Sequence, residues 1–460
     1  MTETVRIVSP IDGRVYAERP IASGAEIAAS MSKAKAAGQA WGAVTVRERA
    51  KFLNHFVDAL LSKNDEIVPE LAWQMGRPIR FAGEKRGVEE RSRHMIAIAE
   101  EGLAPSMRPE KEGFKRWIAR EPLGTMMVIA PWNYPYLTAV NSIVPGLMAG
   151  NAVILKHASQ TLLVGERFAE AFKAAGLPDG LFQNLVLSHA DTEKLIGSGE
   201  IDHINFTGSV EGGRRIERAA AGTFATLGLE LGGKDPAYVR ADAKLDHAVE
   251  NLVDGAFFNS GQSCCGIERI YVHRDVYDRF VEAFVANAKG WTLGNPLDPD
   301  TIVGPMAQAK FADLVRGQTL EALRKGARAL LNKKHDLDEE SSPYLAPEVL
   351  VNVNHQMAVM REESFGPVVG IMKVADDDEA VTLMNDSPYG LSASIWSQDL
   401  DEVARLGERV ETGTIFANRC DYLDPALVWT GVKDTGKGGA LSEIGYGNLT
   451  QPKSYHLKIV

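Results

Sequence analysis

Between Thr125 and Leu231 the chain carries four short apolar runs: TMMVIA (Thr125–Ala130), AVILK (Ala152–Lys156), DHINF (Asp202–Phe206) and LGLEL (Leu227–Leu231). Helix-like stretches such as Thr161 to Ala175 and Glu211 to Ala221 separate most of them. Strands that alternate with helices imply an α/β fold, a parallel sheet with helices on its faces. Polar and Gly-rich residues cluster where these strands stop: Pro131 to Pro135, Lys156, Thr207 to Ser209, and Glu230. In an open α/β sheet the ligand crevice lies at the carboxyl ends of the strands, so these residues are expected to line one site.

On the N-terminal side, Phe52, Leu53, Phe56, Val57, Leu60 and Leu61 recur at helical spacing, and Ser23 can cap the Ala-rich run that ends near Trp41. A second alternating block starts near Lys234 and continues through IYVH (Ile270–His273), PVVGIMKV and GTIFAN; it is expected to form another domain facing the first. The charged stretch from Lys333 to Ser342 reads as a solvated loop.

Composition narrows the function. With 45% apolar and 24% charged residues in 460, the chain has the balance of a globular protein with a large core. A net charge of −11 offers no positive field for nucleic acid or an anionic membrane. Three cysteines in no metal-binding pattern suit a reducing cytoplasm, and no run is apolar long enough to span a bilayer. No metal site is expected.

FFNSGQSCCG (Phe257–Gly266) surrounds Cys264 and Cys265 with small and polar residues, including Gly261 and Gly266, which let a ligand approach the backbone. A thiolate there could act as a nucleophile; the bland alternative is a pair of buried, inert thiols. GLELGGKD contains GxxxxGK, but Asp235 stands where a phosphate-binding loop needs Ser or Thr. Glu230 in that segment is a carboxylate at the end of an apolar strand, costly to bury without a role; structurally it could pair with Lys234. No GxGxxG fingerprint exists, but in FTGSVEGG Gly208 and Gly213 flank the start of a helix whose N-terminus could hold a pyrophosphate.

Taken in order, PWNYP, Lys156, FTGS (Phe206–Ser209), ELGGK (Glu230–Lys234), GQSC (Gly261–Cys264), EESFGPV (Glu362–Val368) and YGLSAS (Tyr389–Ser394) resemble the motifs of the aldehyde dehydrogenase superfamily over nearly the whole chain. That resemblance implies two Rossmann-like doubly wound domains and a small β oligomerisation arm. It assigns residues 1–105 and 122–232 to a cofactor-binding domain and 233–425 to a catalytic domain. Residues 106–121 and 426–460 become the bridging arm and C-terminal strand, and homodimers or homotetramers follow.

For mechanism, the resemblance makes Cys264 the nucleophile, Asn133 the oxyanion donor and Glu230 the base that activates water against a thioester. Lys156 resembles the lysine that bonds the adenosine ribose and Ser209 the serine near the pyrophosphate. Glu363 and Phe365 resemble the pair that orients the nicotinamide ribose. Trp132, Thr207, Gly208, Gly213, Leu231 and Gly232 complete the expected cofactor cleft. NAD-preferring members often place Glu three residues after the lysine; here Ser159 leaves room for a 2′-phosphate, so NADP, or both cofactors, is expected. The aldehyde funnel would be lined by Tyr134, Thr138, Asn141, Phe258, Ser263, Cys265 and the loop through Asp421, Tyr422 and Leu423.

Three departures matter. His157 replaces a proline after Lys156 and reads as structural, and Ala440 stands where the family has a second Glu. Succinate-semialdehyde members carry arginines where this chain has Asn141 and Phe258, which favours a neutral or polar aldehyde, with an aminoaldehyde also open through Asp421 and Asp424. The rival readings are a cysteine thioesterase or hydrolase without a redox step, using His203 or His247, and a catalytically silent member of the fold. An acyl-transferring or acyl-phosphate-reducing enzyme is disfavoured by Glu230.

Overall fold

The computed structural model describes residues 3–331 and 341–460; most of the charged stretch read as a solvated loop lies outside them. The four apolar runs form strands Thr125–Ala130, Ala152–His157, His203–Thr207 and Thr226–Glu230. Together with Phe182–Asn184 and Gly436–Lys437 they make a six-stranded sheet. All its neighbours run parallel except Gly436–Lys437, which pairs antiparallel with Thr226–Glu230. Every residue of Thr125–Ala130 and Ala152–His157 is buried, the pattern of a sheet covered on both faces. Helix Gly24–Gly42 packs beside this sheet. Ser23 and Glu26 close a reciprocal cap at its start, satisfying amide groups that the first turn leaves without partners.

The second alternating block forms a seven-stranded sheet. Its order is Arg328–Ala329, Glu348–Val351, Val368–Val374, Ile267–His273, Asp235–Val239, Ser392–Trp396 and Thr414–Ala417, parallel but for the first strand. Separate apolar clusters pack around it, one including Tyr271 and Ile395, the other Phe257 and Trp396. Between Asp424 and Leu449 the chain returns to the first sheet, where Trp429, Leu441 and Tyr446 join its core. A third sheet pairs Thr450–Lys458 with Phe114–Pro122 and that strand with Ser106–Met107, leaving mostly exposed residues. No helix among the described residues is long and apolar enough to cross a membrane.

The GxxxxGK match is not a loop around a phosphate. Asp235 starts a strand of the second sheet, and its buried carboxylate accepts bonds from the Ser392 amide and hydroxyl.

Candidate active site

The site is built where the first sheet ends and the second begins. Asn259, Ser260 and Gly261 take left-handed backbone angles in succession, a tight reversal that ends just before the cysteines. At Gly261 a side chain is excluded: a Cβ would lie 2.3 Å from the Gly366 carbonyl oxygen. Asn133, buried after the Thr125–Ala130 strand, donates from Nδ2 to the Gln262 carbonyl at 3.1 Å. Its amide therefore lies beside the Gln262–Cys264 turn with a second N–H to spare. The Asn133 carbonyl is fixed in turn by Arg77 and by Asn259 Nδ2.

Glu230 ends its strand opposite Thr207, whose hydroxyl donates to Oε2 at 3.4 Å. Its pairing with Lys234, the structural alternative, does not form: Lys234 donates to Glu268 at 2.5 Å and to Ser364 at 2.9 Å. No cation lies within ion-pair distance of Glu230 among the described residues. Burial accordingly pushes its pKa up to about 7, against the weaker pull of the Thr207 hydroxyl and the charge of Arg91. Behind Glu230 lies a cavity of about 220 Å³. Its wall includes Ala440, so no second carboxylate enters, and His203, Asn205 and Thr226. His203, Asn205 and Thr207 alternate along one strand face, leading from this cavity to the carboxylate.

A second cavity, of about 290 Å³, is bounded by Lys156, His189, Phe206, Ser209 and Arg215. Lys156 is buried with no hydrogen bond or ion pair of its own among the described residues, and burial lowers its pKa. Ser209 caps helix Val210–Ala220, and Gly213 faces Leu231 so closely that a Cβ would meet Cδ2 at 2.6 Å. Gly208 donates its amide to the Glu230 carbonyl. Ser159 is exposed at the start of a short 3-10 turn, Ser159–Thr161. An unpartnered ammonium beside a helix N-terminus fits a nucleotide ribose and its phosphates.

Between the two sheets Trp132 stacks on Phe311 at 5.2 Å and meets Phe365 edge-on at 5.6 Å. Glu363 accepts from the Gly233 amide at 2.9 Å, and burial pushes its pKa up to about 8, with the Glu268 charge adding to the rise. Gly232 backs directly onto that carboxylate; a Cβ there would fall 2.4 Å from Oε2. Residues of the two sheets, Trp132 and Gly232 from one and Glu363 and Phe365 from the other, thus meet at this seam.

On the other side of the cysteines, Asp421 Oδ1 accepts from Cys265 Sγ at 2.9 Å and from Ser263 Oγ at 3.2 Å. Burial raises the Asp421 pKa to about 6 and the Cys265 pKa is also raised, chiefly by its hydrogen bond with Cys264 and by burial. Tyr134 lies under the Arg77 guanidinium, 4.7 Å from its ring centre, and Phe258 meets Phe81 edge-on. Leu423 is half-buried in the same loop, whereas the Thr138 hydroxyl turns back to the Tyr134 carbonyl. His157 is structural, bonded to the Pro135 carbonyl and Thr161. The histidines a hydrolase would need are engaged: His203, in the wall of the cavity behind Glu230, bonds Thr226 and Asn205, and His247 bonds the Asn418 carbonyl.

Four functional side chains escaped the sequence reading. Arg77 and Glu84 form a buried ion pair at 2.6 Å, and Glu84 also accepts the Tyr136 and Leu137 amides, so this pair sets the loop that carries Asn133. Glu268 accepts from Lys234 and from the Ser364 and Phe365 amides, fixing the Glu363 segment. Arg91 reaches Asn141 Oδ1 at 3.5 Å. A cation thus stands beside Asn141, one of the two positions where arginine is absent.

The sequence matches the model of the aldehyde dehydrogenase family over residues 1–455. It is 33% identical over 449 residues to the succinate-semialdehyde dehydrogenase [NADP(+)] of Deinococcus radiodurans, covering 97% of this chain and 93% of that one. The geranial dehydrogenase of Castellaniella defragrans is 34% identical over 421 residues, 91% of this chain and 87% of the relative. The solved succinate-semialdehyde dehydrogenase of Burkholderia pseudomallei superposes with a TM-score of 0.94 at 28% identity, covering 99% and 95% of the two chains.

Proposed function

Because this chain belongs to the aldehyde dehydrogenase family and oxidises aldehydes to carboxylic acids with NADP or NAD, we propose that Cys264, Asn133 and Glu230 carry its chemistry. The observation that supports this most is Glu230, a carboxylate held without a counterion at the end of its strand, with its pKa near neutrality. The Cys264 thiolate adds to the aldehyde carbon. The free Asn133 N–H and the Cys264 amide stabilise the alkoxide, each donor contributing about 3 kcal/mol. A bound nicotinamide would supply the hydride acceptor at the tetrahedral carbon, and Cys264 would then carry the acyl group as a thioester. Glu230, ionised, removes a proton from water as it attacks that thioester, which releases the carboxylic acid and the thiolate.

Lys156, Ser159, Ser209 and the Thr207–Gly208 turn are assigned to the nucleotide, with Trp132, Gly213, Leu231, Gly232, Glu363 and Phe365 bounding the nicotinamide end. The unpartnered Lys156 and the lack of an acid at 159 favour acceptance of a 2′-phosphate, while Arg215 is shared with Glu193 at 2.5 Å and Glu211 lines the same cavity. The three-stranded arm leaves Thr450–Lys458 as an open edge, the natural seam of a homodimer or homotetramer. Three free cysteines and no disulfide among the described residues suit the cytoplasm. The test is direct: enzyme, oxidised cofactor and a panel of aldehydes are mixed and the absorbance of reduced nicotinamide is followed. Hydrolysis of thioesters with no reduced cofactor from any aldehyde would overturn the proposal in favour of the hydrolase.

A further inference from the structure

Arg91 lies in helix Lys85–Gly102, whose Val88, Arg91 and Met95 share one face by their spacing. The other charges nearby point outward and are occupied: Arg93 holds Asp58, Glu89 and Asn54, and Glu90 accepts from the Tyr422 hydroxyl at 2.5 Å. Arg91 instead turns inward. It is half-buried, makes no ion pair among the described residues, and has a single loose hydrogen bond, to Asn141 Oδ1 at 3.5 Å. Burial lowers its pKa, while the charges of Cys265, Glu84, Glu230 and Cys264 act to raise it.

The acids within its reach are committed elsewhere. Glu84 is bonded to Arg77 and two backbone amides, Glu230 to Thr207, and Asp421 to Cys265 and Ser263. Apart from the loose bond to Asn141, the Arg91 donors are taken by no protein group among the described residues and are not sealed from solvent, so they stand open to an anionic ligand. From this geometry we infer that Arg91 receives a carboxylate at the far end of the substrate, so that the enzyme acts on short aldehydes bearing a distal carboxylate. This inference rests on the reading of Cys264 as the nucleophile. Arg91 is a specificity residue, supplying from a helix of the first domain the cation that Asn141 and Phe258 do not.

Three short aldehydes differing in terminal charge test it: 4-oxobutanoate, butanal and 3-aminopropanal. In the wild type kcat/KM is expected to be at least about tenfold higher for 4-oxobutanoate than for butanal, with 3-aminopropanal poorest. Arg91→Gln should bring the ratio of 4-oxobutanoate to butanal down by about tenfold or more, mostly through KM for the anion, and Arg91→Lys should keep part of it. Equal kcat/KM for the anionic and neutral aldehydes, or a preference for 3-aminopropanal through Asp421, would overturn the role of Arg91 while leaving the dehydrogenase reading intact. No turnover of any of the three, or of a wider aldehyde panel, would instead sink that underlying reading.

Discussion

Glu230→Gln separates activity from stability, because the ionised carboxylate that catalysis needs is one the fold resists. Burial raises the Glu230 pKa from 4.5 to about 7. In the window between those values the unfolded chain has released its proton and the native one has not, so wild-type stability falls as pH rises and levels off above about 7. A difference of about 2.5 pH units corresponds to roughly 3 kcal/mol, and solvent in the cavity beside the carboxylate reduces that to about 2 to 3 kcal/mol. Glutamine keeps the shape without the charge. The variant should therefore be more stable than wild type by that amount at about pH 8.5 and nearly equal at about pH 5, read from denaturant midpoints at matched protein concentration. Its reaction should show a burst of reduced cofactor close to one per active site, followed by slow turnover. In the wild type kcat should rise with pH through a midpoint near about 7, and Thr207→Val should move that midpoint up by about half to one pH unit, since the hydroxyl favours the charged form. A stability gap independent of pH would refute the burial argument. Loss of the burst would refute the assignment of Glu230 to deacylation.

Cys264→Ala should abolish aldehyde oxidation, whereas Cys265→Ala, which removes a thiol that bonds Asp421 and touches Ser263, should retain much of it; the reverse result would move the nucleophile by one residue. Ser159→Glu should raise KM for NADP far more than for NAD by placing an anion near the ribose, with discrimination limited to a few kcal/mol at an exposed, salt-screened position. An unchanged ratio of kcat/KM for the two cofactors would show that Lys156 and Arg215 set the preference alone. Arg77→Met should destabilise the protein by about 3 to 5 kcal/mol, because Glu84 is left buried beside Tyr136 and Leu137 without its cation, and thermal or chemical unfolding checks this.

The strands were legible because each is a short apolar run ended by Gly, Pro or a polar residue, and parallel order follows from the helices between them. Residues at strand ends were legible for the same reason: chemistry collects where the sheet stops, so Asn133, Lys156, Thr207 and Glu230 could be found from position alone. Arg77, Glu84, Arg91 and Glu268 could not. Three of them stand on or beside helices where charged residues normally face water, and only the packing of Lys85–Gly102 against Pro135–Met148 turns some inward. In GVEERSRH the spacing of Arg91 from Val88 and Met95 was the one available sign, since a cation on the apolar face of a helix must either be paired or serve a ligand.

The same distinction separates acids that build the site from acids that act in it. Glu84 and Glu268 each hold a cation and two backbone amides, so their charge is compensated whatever occupies the cleft. Glu230 and Glu363 have one hydrogen bond apiece and no cation within ion-pair distance among the described residues, and burial raises both toward neutrality. A fully compensated carboxylate is a poor base, because taking up a proton would break the bonds that hold it. Glu230 is free to gain and lose one at small structural cost. Its position across from Thr207, at the mouth of a cavity that can hold water, then suits it to serve a thioester on Cys264, whereas Glu268, tied to Lys234 and Ser364, can only hold the wall in place.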